Sequence, residues 1–159
     1  MSNKECIKSI ELDDSIAHHR TNIDLNTSLK DLLAFNYFSL VEKPKSPYKV
    51  TIGQEDNRLN FHINKKHKIQ IPLRSFRSII KDYFMILESH QDALKHGMIE
   101  KVEAIDMGRR SLHNEGAELI IELLENKINT DFETARRLFT IITILHIKWL
   151  EKEYYFYAH

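Results

Sequence analysis

The chain contains little cysteine, glycine and proline. Its 159 residues include one cysteine, four glycines and three prolines. A single cysteine, Cys6, excludes an intrachain disulfide and a metal site built on several cysteines, and it is typical of proteins from the reducing cytoplasm. The scarcity of glycine and proline argues against fibrous and low-complexity structures. Because 42% of the residues are hydrophobic and 29% are charged, the composition indicates a folded globular protein.

Neither sign of charge dominates the sequence, and long hydrophobic runs are missing. Basic and acidic residues number 23 each, so the net charge gives no general attraction to nucleic acid or to an anionic membrane. The first nine residues lack the apolar segment of a signal peptide, and the most apolar stretch, residues 138–150, is short and contains His146 and Lys148. We therefore expect a cytoplasmic protein without a membrane span, and we expect no nucleic-acid partner.

The first half of the chain predicts a small antiparallel sheet and one helix. Alternation of apolar and polar residues predicts four strands, at residues 6–12, 48–52, 59–63 and 69–71. The second and third of these strands flank a polar turn at residues 53–58 and predict a β-hairpin. Between the first strand and Pro44, capping residues followed by apolar residues at helical spacing, from Leu29 to Leu40, predict a short helix.

The second half of the chain predicts three helices. Apolar residues recur at helical spacing within residues 76–97, 99–126 and 132–149. Gly108 and Gly116 leave a break in the second of these helices open as an alternative. Thr130 and Glu133 predict a capping box at the start of the last helix. Because this helix is apolar on more than one side, we expect it to be central in the fold or to form a dimer contact.

Three blocks of sequence resemble an uncharacterised family of alphaproteobacterial proteins that carries only a placeholder name. The blocks are FR and IKDYF at residues 76–77 and 80–84, EAIDMGRR and LHNEG at residues 103–110 and 112–116, and DF and TARRLFT at residues 131–132 and 134–140. The resemblance covers residues 7–146. It implies no activity, substrate or cofactor, because none is assigned to the family. It also implies relatives that lack His90 and end near residues 146–149, so the aromatic tail is a departure from the family pattern.

The most unusual polar residues lie on the predicted helix 99–126. If that helix is continuous, Arg109 lies on its apolar face, and Asp106 and His113 flank Arg109 within side-chain reach. A guanidinium group in apolar surroundings keeps its charge and must therefore find carboxylates or other acceptors. Asp106, Arg109, His113 and Glu115 form our candidate anion site. They are either an ion network that fixes the packing of the helix, or a pocket in which Arg109 holds an anion and His113 handles a proton.

A second group of basic residues begins at the start of the helix at residues 76–97. Arg74, Arg77 and Lys81 lie there although the helix dipole disfavours positive charge at that end. Either a phosphate or carboxylate group binds there, or the basic side chains are simply solvated. Together with Arg136 and Arg137 of the last helix, they form a predicted basic patch. This patch is also the only candidate surface for RNA, which the neutral net charge disfavours.

Known catalytic and metal-binding motifs are missing from the sequence. It has no phosphate-binding glycine-rich loop, no nucleophile elbow and no His-Glu-x-x-His motif. His113 and Glu115 have the His-x-Glu spacing of zinc deaminases, but the cysteine pair of those enzymes is missing. His90, His113 and His146 lie beside the apolar stripes of three successive helices, where a histidine is more often a core residue than a metal ligand. We therefore predict no metal and no cofactor.

These observations predict a single α+β domain over residues 1–150, with a small antiparallel sheet of three to four strands packed against about four helices. An aromatic tail follows at residues 151–159. The sequence favours a non-enzymatic cytoplasmic binding or regulatory protein that takes an anionic small molecule and forms a homo-oligomer through the last helix and the tail. The alternative is a small enzyme, or an enzyme subunit, that acts on an anionic phosphate or carboxylate metabolite through Asp106, Arg109 and His113.

Overall fold

The computed structural model describes the backbone of residues 5–42 and 46–158 and the side chains of these ranges up to residue 146. The strands are β1 (Ile7–Leu12), β2 (Phe38–Leu40), β3 (Tyr48–Glu55), β4 (Arg58–Ile63), β5 (His67–Pro72) and β6 (Ile128–Thr130). The α-helices are α1 (Ile23–Ala34), α2 (Arg77–Lys95), α3 (Ile99–Leu123) and α4 (Phe132–Ala158). Two 3-10 segments, Asp14–Thr21 and Leu73–Phe76, precede α1 and α2. The prediction of an α+β fold is confirmed. The aromatic tail at residues 151–159 lies outside the described side chains.

The main sheet has four strands in the order β1-β3-β4-β5. The predicted hairpin is confirmed, because β3 and β4 pair antiparallel and turn at Asp56 and Asn57. β5 continues the antiparallel pairing, as expected. The prediction of a purely antiparallel sheet is wrong, because β1 pairs with β3 in parallel. A parallel pair needs a long crossover connection, and the segment that contains the first 3-10 segment and α1 supplies it.

The first helix begins and ends earlier in the chain than the sequence pattern suggested. α1 ends at Ala34, and Phe38 and Leu40 lie in β2, which pairs with β6 in a second, two-stranded sheet. The Asn36 side chain promotes this change of direction. Its Nδ2 donates to the carbonyl oxygens of Leu32 and Ile7, and its Oδ1 accepts from the amide of Ile7 at 2.7 Å. The apolar residues after Ala34 therefore pair with a distant strand and do not continue the helix.

α4 is the central helix, as its apolar pattern predicts. α1, α2 and α3 all pack against it. Its buried residues cover more than one side of the helix: Ala135, Leu138, Phe139, Ile141, Ile142 and Leu145. The predicted capping box at its start is wrong in detail, because the amide of Thr134 donates to the Asp131 carboxylate at 2.8 Å. Asp131, one residue after Thr130, therefore caps the helix.

α3 is continuous through both of its glycines. The alternative of a break near His113 is therefore wrong. The helix ends at Leu123, three residues before the predicted end, and Asn126 beyond it has a positive φ of 68°. At the other end, Gly97 has a φ of 66° and separates α2 from α3, as expected for a glycine that ends a helix. Residues that are three or four apart on α3 therefore share a face, as the candidate anion site requires.

Candidate functional site

A cleft of about 1010 Å³ opens between α2, α4 and the first 3-10 segment. His18 and His19 of that segment line one wall, and Arg77 and Tyr83 of α2 line another. α4 contributes His146 and several smaller residues, and the end of β3 contributes Gln54. Apolar residues of the second 3-10 segment, α2 and α4 also belong to the lining, and they are Leu73, Ile80, Leu87, Ile144 and Leu145. The cleft thus combines apolar surface with a few polar groups, which is typical of small-molecule sites.

The first 3-10 segment is fixed against β3 by the side chains that begin it. Asp13 caps the segment by accepting from the amide of Ser15 at 2.8 Å. The Ser15 hydroxyl in turn accepts from the amide of Gln54 at 2.8 Å. The Asp13 carboxylate occupies the space that a Cβ at Gly53 would fill. Glycine at this position therefore allows the segment to approach the strand, and this approach places its histidines in the cleft.

His146 is the most buried histidine of the cleft, with 6% of its surface exposed. Its Nδ1 lies 2.8 Å from the carbonyl oxygen of Ile142, one helical turn earlier, and its Nε2 lies 3.2 Å from Oε1 of Gln54. Burial lowers the pKa of His146, and the hydrogen bond to Ile142 opposes this effect in part. The imidazole is therefore neutral at pH 7. The sequence pattern favoured a core residue over a metal ligand at His146 and gave no signal for its contact with Gln54, 92 residues away.

Behind the cleft, His113 connects the two helices that form its walls. Its Nε2 lies 3.4 Å from the Tyr83 hydroxyl, and its Nδ1 lies 3.4 Å from the Thr140 hydroxyl. The Thr140 hydroxyl donates to the carbonyl oxygen of Arg136, so it accepts a hydrogen bond from Nδ1 of His113. The neutral ring then accepts a hydrogen bond from the Tyr83 hydroxyl at Nε2. Burial, together with the positive charges of Arg136 and Arg109, lowers the pKa of His113 to about 4. His113 therefore orients two residues of the cleft lining without lining the cleft itself.

The predicted anion site is only partly assembled. Arg109 Nη2 lies 3.2 Å from Oδ1 of Asp106, and His90 Nε2 lies 3.5 Å from the same oxygen. The side chains of Arg109 and Asp106 are 39% and 34% exposed, so the guanidinium is neither buried in an apolar seam nor fully solvated. Oδ1 makes no well-aligned hydrogen bond with the described residues, so the attraction is mainly that of opposite charges. Glu115 is exposed.

The predicted basic residues are distributed over several places. Arg77 lines the cleft, whereas Arg74 lines a second, smaller cleft beside Glu55 and Asp56. Lys81 is exposed on α2. On α4, Arg136 Nη1 lies 3.6 Å from Glu133, and Arg137 donates to the carbonyl oxygen of Phe35 at 2.6 Å. Of the five residues, Arg77 is the one that combines a positive charge with the main cleft.

The three helical histidines do not converge on a common point. His90 lies beside Asp106, His113 beside Tyr83, and His146 beside Gln54. Among the side chains that the structure describes, no group of three or more histidine, cysteine, aspartate or glutamate residues is arranged to hold a metal ion. These three histidines therefore do not share one site. Within the same part of the chain, no helix has the length and apolar character needed to cross a membrane.

The fold and the cleft together define a small α+β protein with a partly polar site between two helices. No solved structure matches the chain. The chain belongs to UPF0262, described as an uncharacterised protein family, whose model matches residues 4–148. It is 50% identical over 123 residues to a UPF0262 protein of Paramagnetospirillum magneticum, which covers 74% of this chain and 78% of that protein. It is 42% identical over 146 residues to a UPF0262 protein of Caulobacter vibrioides, with 88% and 92% covered. The resemblance predicted from the sequence blocks is confirmed.

Proposed function

We propose that the protein binds a small molecule with an oxyanion group, a phosphate or a carboxylate, in the cleft between α2 and α4, and that it does not transform this ligand. The observation that carries the proposal is the position of Arg77, which is a residue of the lining of a cleft of about 1010 Å³. Guanidinium groups bind carboxylate and phosphate oxygens through paired hydrogen bonds. The apolar residues from the two helices suit a ligand with an apolar body.

Binding without catalysis is favoured over the enzyme alternative by the placement of the predicted catalytic residues. Arg109 forms an ion pair with Asp106 on α3, and His113 is held between Tyr83 and Thr140. A residue that acts on a substrate must reach it, directly or through one water. Arg109 and His113 are absent from the cleft lining in the described part of the chain, so we assign them a structural role.

The proposal includes the cytoplasm as the compartment, on the basis of the single cysteine. Self-association through the last helix stays a prediction.

A thermal-shift experiment tests the proposed function. The ligands are benzenesulfonate, phenyl phosphate and phenylacetate, with neutral benzyl alcohol as the control. A ligand at a hundred times its dissociation constant stabilises the native state by about 2.7 kcal/mol. We expect stabilisation by at least one of the anions and none by the alcohol. Arg77→Gln should weaken binding by about 10- to 100-fold, because a hydrogen bond to a charged group contributes about 1.5 to 3 kcal/mol.

Arg74→Gln is the matched control, because it removes the same charge three residues away, from the lining of the second cleft. It should leave the affinity for the anions close to that of the wild type. If Arg74→Gln and Arg77→Gln weakened binding equally, the effect would be one of general charge, and the assigned site would be wrong. The proposal also fails if none of the three anions stabilises the wild-type protein.

A further inference from the structure

We infer that His146 is a binding residue of the cleft and that its imidazole takes up a proton when an oxyanion binds. The inference rests on the proposed function. It names the source of a second positive charge at the same site. Arg77 supplies a permanent charge, whereas His146 would supply a charge only while the ligand is present.

The contacts of His146 match an imidazolium better than a neutral imidazole. Nδ1 faces the carbonyl oxygen of Ile142 at 2.8 Å, and Nε2 faces Oε1 of Gln54 at 3.2 Å. Both oxygens are acceptors, so both ring nitrogens would have to donate, and only the protonated ring has two N–H groups. The neutral ring satisfies one of these contacts and leaves the other as an unfavourable meeting of two acceptors.

Rotation of the Gln54 amide does not remove this mismatch. The amide Nε2 of Gln54 donates to the carbonyl oxygen of Asp56 at 3.3 Å. The opposite orientation would let Gln54 donate to His146, but it would then place the Gln54 oxygen against the oxygen of Asp56. With a neutral His146, one pair of acceptors faces each other in either orientation. Protonation of His146 is the change that satisfies all three contacts.

Burial prevents this protonation while the cleft lacks an anion. His146 is 6% exposed, and the loss of hydration lowers its pKa. The described charged and titratable groups around it in the cleft are His18 and His19 of the 3-10 segment, Asp24 of α1, and Arg77 and Tyr83 of α2. Of these groups, Asp24 is exposed, so solvent screens its charge. An oxyanion bound in the cleft beside His146 would add a close negative charge and thereby favour the protonated ring.

Proton uptake is measured by calorimetric titration with each of the three anions in two buffers that differ in ionisation enthalpy. Benzenesulfonate keeps the same charge throughout the pH range used, so any protons exchanged with it come from the protein. At pH 7 we expect an uptake of about 0.5 to 1 proton per anion bound. Between pH 8 and pH 6 the affinity should then rise by up to about tenfold per pH unit.

The variants locate the proton. His146→Gln cannot gain a charge, so it should abolish the uptake while binding through Arg77 persists at a pH-independent affinity. Gln54→Leu removes the acceptor for Nε2 of His146 but keeps the imidazole, so it should reduce the proton uptake. This variant serves as the second test if His146→Gln does not fold. Each anion is titrated into wild type and variant alike, so that protons exchanged by the ligand cancel.

Three results separate failure of this inference from failure of the proposed function. Binding without proton uptake in the wild type would overturn the inference and leave the proposed function intact. An uptake that persists in His146→Gln but disappears in the double variant His18→Gln and His19→Gln would assign the proton to the 3-10 segment and would also overturn it. If none of the anions binds, the proposed function fails, and the inference fails with it.

Discussion

Replacement of Gly116 by alanine should destabilise the protein, although alanine is the better helix former. Gly116 is buried on α3, and an added Cβ would overlap the ring of Phe139 on α4. That ring is fully buried, and its centroid lies 6.2 Å from that of Phe76 and 5.5 Å from that of His113. Rings on two sides restrict its movement, so α3 and α4 would have to separate to accept the methyl group.

The expected loss follows from two opposing effects. Overpacking of a well-packed core costs about 1 to 3 kcal/mol, and the upper end applies here because the overlap is with a ring confined on two sides. The higher helix propensity of alanine offsets about 1 kcal/mol of this loss. We therefore expect Gly116→Ala to lower the free energy of unfolding by about 2 kcal/mol. For a protein of this length, that loss lowers the melting temperature by about 4 to 8 °C.

Gly108→Ala is the matched control on the same helix. A Cβ at Gly108 would have the Ile86 Cδ1 atom, 3.4 Å away, as its nearest neighbour, which is an ordinary contact. This variant should therefore raise the stability by about 0.5 to 1 kcal/mol. Thermal and urea unfolding measure both variants. The close packing of α3 on Phe139 would be refuted if Gly116→Ala were as stable as the wild type. It would also be refuted if both variants were destabilised to the same extent.

Three further predictions concern the polar residues. The native pKa of His113, about 4, lies below its ordinary value of 6.5, so the unfolded chain binds more protons and stability is lost as the pH falls from 6.5 towards 4. Full burial would give a loss of about 3 kcal/mol, and we expect about half of that because His113 is only half-buried. In urea unfolding, the free energy of unfolding of His113→Gln should change less with pH than that of the wild type. An equal pH dependence in the two proteins would contradict the assignment. Asn36→Ala removes three hydrogen bonds to the backbone and should cost about 2 to 4 kcal/mol in the same assay, so a loss below about 0.5 kcal/mol would mean that the bridge between α1 and β1 is not formed. Arg109→Met breaks a half-exposed ion pair and should cost less than about 1 kcal/mol while anion binding is unchanged, whereas a loss of anion binding would place the ligand on α3.

Residues close in sequence could be placed correctly because a continuous helix determines their spacing. The spacing of Asp106 and Arg109 predicted an interaction, and the two form an ion pair at 3.2 Å. The hairpin from β3 to β4 was predicted by the alternation on each side of a polar turn. Gly97 ends α2, as its lack of a side chain suggested. Each of these features depends on backbone geometry within a few residues, and local patterns describe such geometry well.

Features that join distant parts of the chain were missed. The parallel pairing of β1 with β3, the pairing of β2 with β6 and the contact between Gln54 and His146 all depend on tertiary packing. Phe38 and Leu40 satisfy a helical pattern as well as a strand pattern, and the distant strand β6 decides between them. The local signal for the cleft was the concentration of basic residues around the start of α2, and it identified Arg77 without locating the opposite walls.

His113 links the polar residues that the sequence singled out to the cleft that the structure adds. His113 itself belongs to the predicted site on α3, and its ring contacts Tyr83 and Thr140, which both belong to the cleft lining. Burial lowers the pKa of His113, the charges of Arg136 and Arg109 lower it further, and the resulting neutral ring can accept from Tyr83 while it donates to Thr140. A protonated ring would have to donate from both nitrogens, and Tyr83 would then have to turn its hydroxyl proton away. Burial and the charges on α3 and α4 thus keep His113 in the state that contacts two residues of the cleft lining, and this ring connects a polar pattern visible in the sequence to a site assembled only by folding.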